Sequence, residues 1–284
     1  MEKISNAEIK KYTTYKLEGT VSEIYVPSDV LELKNLLSEL KNKNIRYKIL
    51  GNGSNLIVSS KYDGVLIKLK NFDTLNIDGN TVKVGAGYML PKLALKCAEN
   101  GLSGLEFAYG IPATIGGAVY QNAGAYGFSI DKVIKDVTIL DGNYEIITLS
   151  KAELKFGYRD SVFKHKNFIC LEVTLELKKG NSEDILEKMK ENLKHRKENQ
   201  PLEYPSAGSV FRNPIGYSAG KLIEEAGCKG AQVGDVMVSY KHANFIVNIG
   251  KATAEDVLEL IKLVQKKVKD KTGILLETEQ EYLE

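Results

Sequence analysis

Apolar side chains fall at helical spacing at Val30, Leu33, Leu36, Leu37 and Leu40, which predicts an amphipathic helix with Ser28 as its N-cap. A second helix is expected over residues 90–99, stopping at Gly101. Short β-rich runs are read at 47–50, 56–58, 65–69 and 82–85, then at 133–140, 145–149 and 168–177. Ile185, Met189 and Leu193 recur within a strongly charged stretch, 182–198, which suits a surface helix joining two domains. Beyond it the pattern predicts a helix at 219–226, strands within 232–238 and 245–247, a helix at 255–269 and a final strand from Ile274. Thr253 and Asp256 form a capping-box pattern, and Val257, Leu260, Ile261, Val264 and Val268 make the buried stripe of that last helix. The expected class is α+β, with a domain over 1–180, a connecting helix over 181–200 and a smaller domain over 201–284.

The length of 284 residues, at about 150 per domain, also suggests two domains, and 43% hydrophobic residues are enough for substantial cores. With 39 basic and 37 acidic residues the net charge is +2, too small a field to draw in a nucleic-acid backbone or an anionic membrane, so anion binding has to be local. Cys97, Cys170 and Cys228 are odd in number and widely spaced, the pattern of reduced core thiols. His165, His195 and His242 show no ligand spacing, and no metal site is expected. The first residues alternate in charge without an apolar core, no run is long enough to span a bilayer, and a cytoplasmic location is expected.

Three stretches stand out chemically. Residues 205–214, PSAGSVFRNP, place the hydroxyl of Ser209 near Arg212 and Asn213, and the bracketing prolines with Gly208 predict a tight turn that presents its side chains. Residues 50–60, LGNGSNLIVSS, offer backbone N–H groups and side-chain donors in a nest suited to a phosphate, although a glycine-rich hairpin turn explains them equally well. Leu56 and the β-like LIVSS exclude the Rossmann fingerprint. Residues 104–127 are dense in glycine, as expected where backbone approaches something closely, and a large flat cofactor carrying a pyrophosphate accounts for both glycine-rich stretches at once.

Other motifs are less specific. GYSAGKL, 216–222, is one residue short of a P-loop and lacks the following Ser or Thr. In FGYRDSVFK, 156–164, Arg159 suits the gripping of a carboxylate or phosphate, with a surface ion pair as the alternative. The terminal LETEQEYLE puts Glu277, Glu279 and Glu281 on one strand face by the period of two, and the pattern selects none of them.

Taken in order, KKYTTYKLEG, LGNGSNLIVSS, GLEFAYGIPATIGGAVYQNAGAYG, GYRDSVFK, HRKENQPLEYPSAGSVFRNP, AGKLIEEAGCKGAQVGDVMVSYKHANFIVN and LETEQEYLE closely resemble the UDP-N-acetylenolpyruvoylglucosamine reductase (MurB) flavoenzymes, over nearly the whole chain. The resemblance implies an N-terminal FAD-binding region of the vanillyl-alcohol-oxidase (PCMH) type and a C-terminal substrate-binding domain. It further implies that NADPH reduces FAD, that UDP-N-acetylglucosamine enolpyruvate takes its place, and that hydride from flavin N5 reaches the β-carbon to give UDP-N-acetylmuramate. By match to the family motifs, Gly51, Asn52, Gly53, Ser54, Asn55 and Leu56 lie on the FAD pyrophosphate, with Gly116, Gly117, Asn122, Ala123 and Gly124 also along the cofactor. Arg159 matches the residue that holds the substrate carboxylate, Ser209 the proton donor and Glu279 its acidic partner, with Tyr158 and Asn213 as substrate neighbours.

Four sites depart from the family pattern: Glu18 and Ala113 stand at usual glycines, Gln121 at a position often Met, and Gln280-Glu281 where Val-Arg is usual. The rival readings are a different FAD oxidase on the same scaffold, a binding module without catalysis, and a serine hydrolase. The last is disfavoured because GSVF is not a nucleophile elbow.

Overall fold

The computed structural model describes residues 1–60 and 62–284. The chain divides into two compact units that are not consecutive in sequence. Unit 1 comprises Met1–Lys3, Ile24–Asn52 and Val65–Arg196, and unit 2 comprises Ile4–Glu23, Gly53–Gly64 and Lys197–Glu284. The expectation of a single boundary near residue 180 is therefore corrected at both ends. Tyr15, Leu17 and Ile57, early in the chain, are buried in the same apolar cluster as Leu260 and Val264, so the N-terminal segments complete the core of unit 2.

Unit 1 is built on a five-stranded antiparallel sheet in the order Ile146–Ser150, Ile134–Leu140, Ile169–Glu176, Thr81–Gly85, Leu75–Asp78. The central strand Ile169–Glu176 is buried at all but two positions, as expected where both faces of a strand are covered. A parallel pair, Tyr47–Leu50 with Val65–Lys68, belongs to the same unit. Helix α1, Val30–Asn42, buries Leu33, Leu36, Leu37 and Leu40 as its stripe predicts, but its N-cap is Asp29, whose carboxylate accepts the Glu32 N–H, and not Ser28. Helix α2, Leu90–Glu99, ends as expected before Gly101, whose φ of +65° suits the stop.

Helix α3, Ile115–Gln121, lies inside the glycine-dense stretch and was not predicted, since paired glycines disfavour helix. It forms because Thr114 caps it through Gly117 N–H and because Ile115, Ala118 and Val119 are buried. Helix α4, Ser182–Asn199, carries the chain from unit 1 into unit 2: through Arg196 it belongs to unit 1, burying Ile185 and Met189 and bonding Asn192 Nδ2 to the Glu106 carbonyl at 3.1 Å, and from Lys197 it belongs to unit 2.

In unit 2, strands Gln232–Val233, Val236–Val238 and Ile246–Asn248 form an antiparallel sheet. Helices α5, Ala219–Glu225, and α6, Ala254–Thr272, share its core, and the Thr253/Asp256 capping box at the start of α6 is closed in both directions. Leu56–Val58 pairs in parallel with Glu281–Leu283. The expected strand from Ile274 is thus confined to its last residues, with one bridge at Thr278, and the predicted alternation fails there: Leu276 and Gln280 are buried while Thr278 is exposed.

All three cysteines are buried and unpaired, and burial pushes the Cys97 and Cys170 thiols up to about 12. No helix among the described residues is long and apolar enough to cross a membrane.

Candidate active site

The loop after Tyr47–Leu50 is not a hairpin turn. Its flanking strands, Tyr47–Leu50 and Leu56–Val58, pair with Val65–Lys68 and Glu281–Leu283 instead of with each other, and the chain passes from unit 1 to unit 2 between Asn52 and Gly53. Gly53 has φ +61°, and a Cβ there would lie 2.5 Å from the Tyr12 carbonyl oxygen and 2.7 Å from Thr13 Cα. Only glycine satisfies both restrictions.

The side-chain donors expected to face a phosphate are committed elsewhere. Asn52 Nδ2 donates to the Pro112 carbonyl at 2.8 Å, and Asn55 Nδ2 to the Glu279 carbonyl at 3.1 Å. Among the described residues no hydrogen bond takes up the backbone N–H groups of Gly53 and Ser54. These N–H groups, with the Ser54 hydroxyl, are among the loop donors that suit an anion such as the pyrophosphate of FAD.

The second glycine-rich stretch is closed at the corresponding place. At the start of α3 the N–H groups of Ile115, Gly116 and Gly117 go to Tyr88 O at 2.9 Å, Ala86 O at 2.8 Å and Thr114 Oγ1 at 3.3 Å. Its glycines serve close approach of the protein to itself: a Cβ on Gly116 would sit 3.1 Å from Ala86 Cβ, and one on Gly124 would strike the Phe128 carbonyl. Asn122, Ala123 and Gly124 follow α3. Asn122 is buried at φ +44°, with Nδ2 donating to Gly157 O at 2.9 Å and Oδ1 accepting from Asp131 N–H at 3.2 Å. Its side chain is therefore spent on the turn that carries Arg159 and not held out to a ligand.

That turn explains why Arg159 stands where it does. Gly157 and Asp160 bridge each other, Arg159 takes a left-handed φ of +56°, and its Nη2 donates to Gly124 O at 2.9 Å. Asp160 faces His165 at 2.9 Å. Tyr158, beside it, is 54% exposed and stacks on the guanidinium with a 5.3 Å separation. Arg159 is thus set beside backbone carbonyls and an aromatic ring, and its guanidinium has the fork geometry that suits a carboxylate.

The expected tight turn is replaced by a bridged Ser209 between bends at Gly208 and Val210: Ala207, Val210 and Phe211 are buried, while Ser209, Arg212 and Asn213 are not. Ser209 bridges Phe245 on one side, and Phe211 bridges Thr278 on the other. The hydrogen bonds Val210 N–H to Asn244 O (2.9 Å), Arg212 N–H to Glu277 O (2.9 Å) and Glu279 N–H to Val210 O (2.7 Å) hold the strip together. Extending that register sets Val210 opposite Glu279, with Ser209 one residue along. Buried Asn244 grips Phe211 twice, accepting its N–H at 2.9 Å and donating to its carbonyl at 2.8 Å.

Unit 2 thus brings Ser209 and Glu279 onto neighbouring paired segments, while Arg159 and Tyr158 lie in unit 1. Asn55 brackets Glu279, since its own carbonyl also accepts the Glu281 N–H at 3.0 Å. This backbone clamp fixes the segment in which Gln280-Glu281 replace the usual Val-Arg. Asn213 accepts the N–H of Ala219 at the start of α5 at 2.9 Å. Ser218, in the rejected P-loop pattern, caps the same helix. Glu18 pairs with Lys10 at 3.2 Å and has no left-handed φ, so its place at a usual glycine adds no backbone strain. Buried Asn244 is not marked by any sequence signal, and Gln280 stands out there only as a departure from the family pattern, since polar residues near turns read as solvent-facing.

Comparison with known proteins bears directly on this arrangement. Residues 22–150 match the family model of the FAD binding domain, and residues 200–283 that of the UDP-N-acetylenolpyruvoylglucosamine reductase C-terminal domain. A UDP-N-acetylenolpyruvoylglucosamine reductase of Caldanaerobacter subterraneus is 46% identical over 95% of this chain and 90% of its own, and one of Caldicellulosiruptor saccharolyticus is 44% identical over 100% and 92%. The chain belongs to the UDP-N-acetylenolpyruvoylglucosamine reductase family. A crystal structure of the reductase from Thermus caldophilus, 39% identical, superposes with a TM-score of 0.85 over 100% of this chain and 98% of that one. The likeness thus runs through both units, and the chain is an oxidoreductase with an FAD-binding domain.

Proposed function

We propose that the chain reduces the enolpyruvyl group of UDP-N-acetylglucosamine enolpyruvate to UDP-N-acetylmuramate, drawing on NADPH, in the cytoplasmic stage of peptidoglycan synthesis. The observation that carries this reading is the strip in unit 2 that sets Ser209 and Glu279 on adjacent segments, in a chain that is family-like from end to end. Bound FAD would supply two-electron chemistry between NADPH and the β-carbon of the enol ether. The N–H groups of Gly53 and Ser54 would hold its pyrophosphate, with Gly51, Asn52, Asn55 and Leu56 shaping that loop. Gly116, Gly117, Asn122, Ala123 and Gly124 would lie along the cofactor as close surface and not as N–H donors.

Addition of hydride at the β-carbon drives negative charge through the α-carbon onto the substrate carboxylate. Arg159 stabilises that charge through its guanidinium, with Tyr158 beside it. Ser209 then donates its proton to the α-carbon. A serine hydroxyl is a weak acid, and Glu279 assists by orienting it and relaying a proton from solvent to the serine oxygen that the donation leaves behind. Asn213, anchored to α5, borders the same substrate. The near-neutral charge of the chain favours no nucleic-acid partner.

The test separates the two half-reactions under anaerobic conditions. Ser209→Ala should leave bleaching of bound flavin by NADPH within about 2-fold of wild type, while reoxidation by the enolpyruvyl sugar nucleotide falls by about 10²- to 10⁴-fold, the usual worth of a positioned acid. Equal loss in both half-reactions, or a purified protein that cannot be reconstituted with FAD, would contradict the reading.

A further inference from the structure

Gln280 is 5% exposed, and its buried amide faces the residues that precede Ser209. Nε2 donates to the carbonyls of Ala207 and of Gly208, each at 3.2 Å. Both N–H groups of one side chain are thereby spent on two consecutive backbone units, immediately before the serine. Gly208 has φ +76°, and a Cβ there would meet nothing closer than the Ser54 carbonyl at 4.0 Å. Its glycine therefore answers a backbone need and not a lack of room. A left-handed residue next to Ser209 makes that backbone a point where the strip can swing, and the Gln280 amide spans it.

The same amide is backed by Tyr15. The Tyr15 side chain is fully buried in the core of unit 2, and burial pushes its phenol far above the ordinary range, opposed by the neighbouring Gln280 amide. The Tyr15 hydroxyl and Gln280 Oε1 are buried polar atoms without hydrogen-bond partners among the described residues. Buried polar atoms of this kind carry a cost, and an apolar side chain at position 280 would avoid it. The feature gained in return is rigidity just before Ser209, on the residue that directly follows Glu279.

We propose that Gln280, backed by Tyr15, is a positioning residue for the proton-donating step: it fixes the Ala207-Gly208 backbone so that Ser209 and Glu279 keep one relative placement. The inference rests on the reading of Ser209 as the proton donor. It concerns one step only, because Gln280 touches neither the reacting atoms nor the Gly53-Ser54 loop through any hydrogen bond.

Three variants test it, each as FAD-loaded full chain with its melting temperature measured alongside. Gln280→Met keeps length and removes both donors; reoxidation by the enolpyruvyl substrate should slow about 10- to 100-fold, the effect of displacing a reacting group by about an ångström, with flavin reduction by NADPH within about 2-fold. Gln280→Glu keeps shape, and its buried carboxyl donates only when protonated. Its reoxidation rate relative to wild type should therefore recover as pH falls. Tyr15→Phe should give a smaller loss, confined to reoxidation. Equal slowing of both half-reactions, unchanged reoxidation in Gln280→Met, or a flat pH ratio for Gln280→Glu overturns the positioning role. If Ser209→Ala itself reoxidises normally, the serine assignment fails. If Ser209→Ala is slow and Gln280→Met is normal, the positioning role alone fails.

Discussion

Gly53 and Gly117 sit in stretches that look alike on paper, small residues and asparagines strung between apolar runs, yet they solve opposite problems. Around Gly53 the backbone turns left-handed against Tyr12 and Thr13, and among the described residues the N–H groups of Gly53 and Ser54 have no acceptor. Around Gly117 the N–H groups that begin α3 are all taken by Tyr88, Ala86 and Thr114. Glycine density signals close approach in both places. What is approached, an outside anion or the protein itself, follows from where the donors go, which composition does not record.

Three substitutions put that contrast at risk. Gly53→Ala meets both a left-handed φ and backbone atoms that cannot move aside, and should cost about 2–4 kcal/mol with loss of bound FAD. It is read from the denaturant midpoint and the 450 nm absorbance of the purified protein, and a yellow protein of normal midpoint would end the special status of this loop. Asn122→Ala removes two ties, to Gly157 and Asp131, and should cost about 2 kcal/mol while loosening the Arg159 turn. A raised KM for the enolpyruvyl substrate with near-normal flavin reduction is the expected kinetic signature, and an unchanged KM would detach Asn122 from Arg159. Gly117→Ala should have the smallest effect and the opposite sign. Its Cβ would stand 3.4 Å from Thr114 Oγ1, an ordinary contact, and alanine gains about 0.5–1 kcal/mol over glycine inside a helix. If that variant is stabilised but loses FAD, Gly117 touches the cofactor; if it keeps FAD at full affinity, Gly117 belongs to the helix alone.

Much of the fold was legible because one-dimensional periods report burial. The stripes of α1 and α6, the stop of α2 and the capping box at Thr253 all follow from local rules, and they stand in the structure as read. The misses share another cause. Helix α3 depends on burial of Ile115, Ala118 and Val119 overriding two poor helix formers. The segment around Ser209 reads as a turn because its pairing partners, Phe245 and Thr278, lie more than thirty residues away in sequence. The helix over 182–198 reads as a surface connector because its charged face dominates its composition, and the sequence pattern leaves unsaid that buried Ile185 and Met189 and the Asn192 bond tie most of it to unit 1.

The same division holds for the candidate site. Sequence by itself determined the family and the α+β class and singled out Arg159, Ser209 and Glu279 as candidates, because motifs preserve residue types in order. Tertiary structure decided the jobs: Asn52 and Asn55 became struts to Pro112 and Glu279, Asn122 the brace of the Arg159 turn, and Gln280 the tie before Ser209. A buried amide can serve a ligand or the protein's own backbone, and only the three-dimensional account of donors and acceptors distinguishes the two.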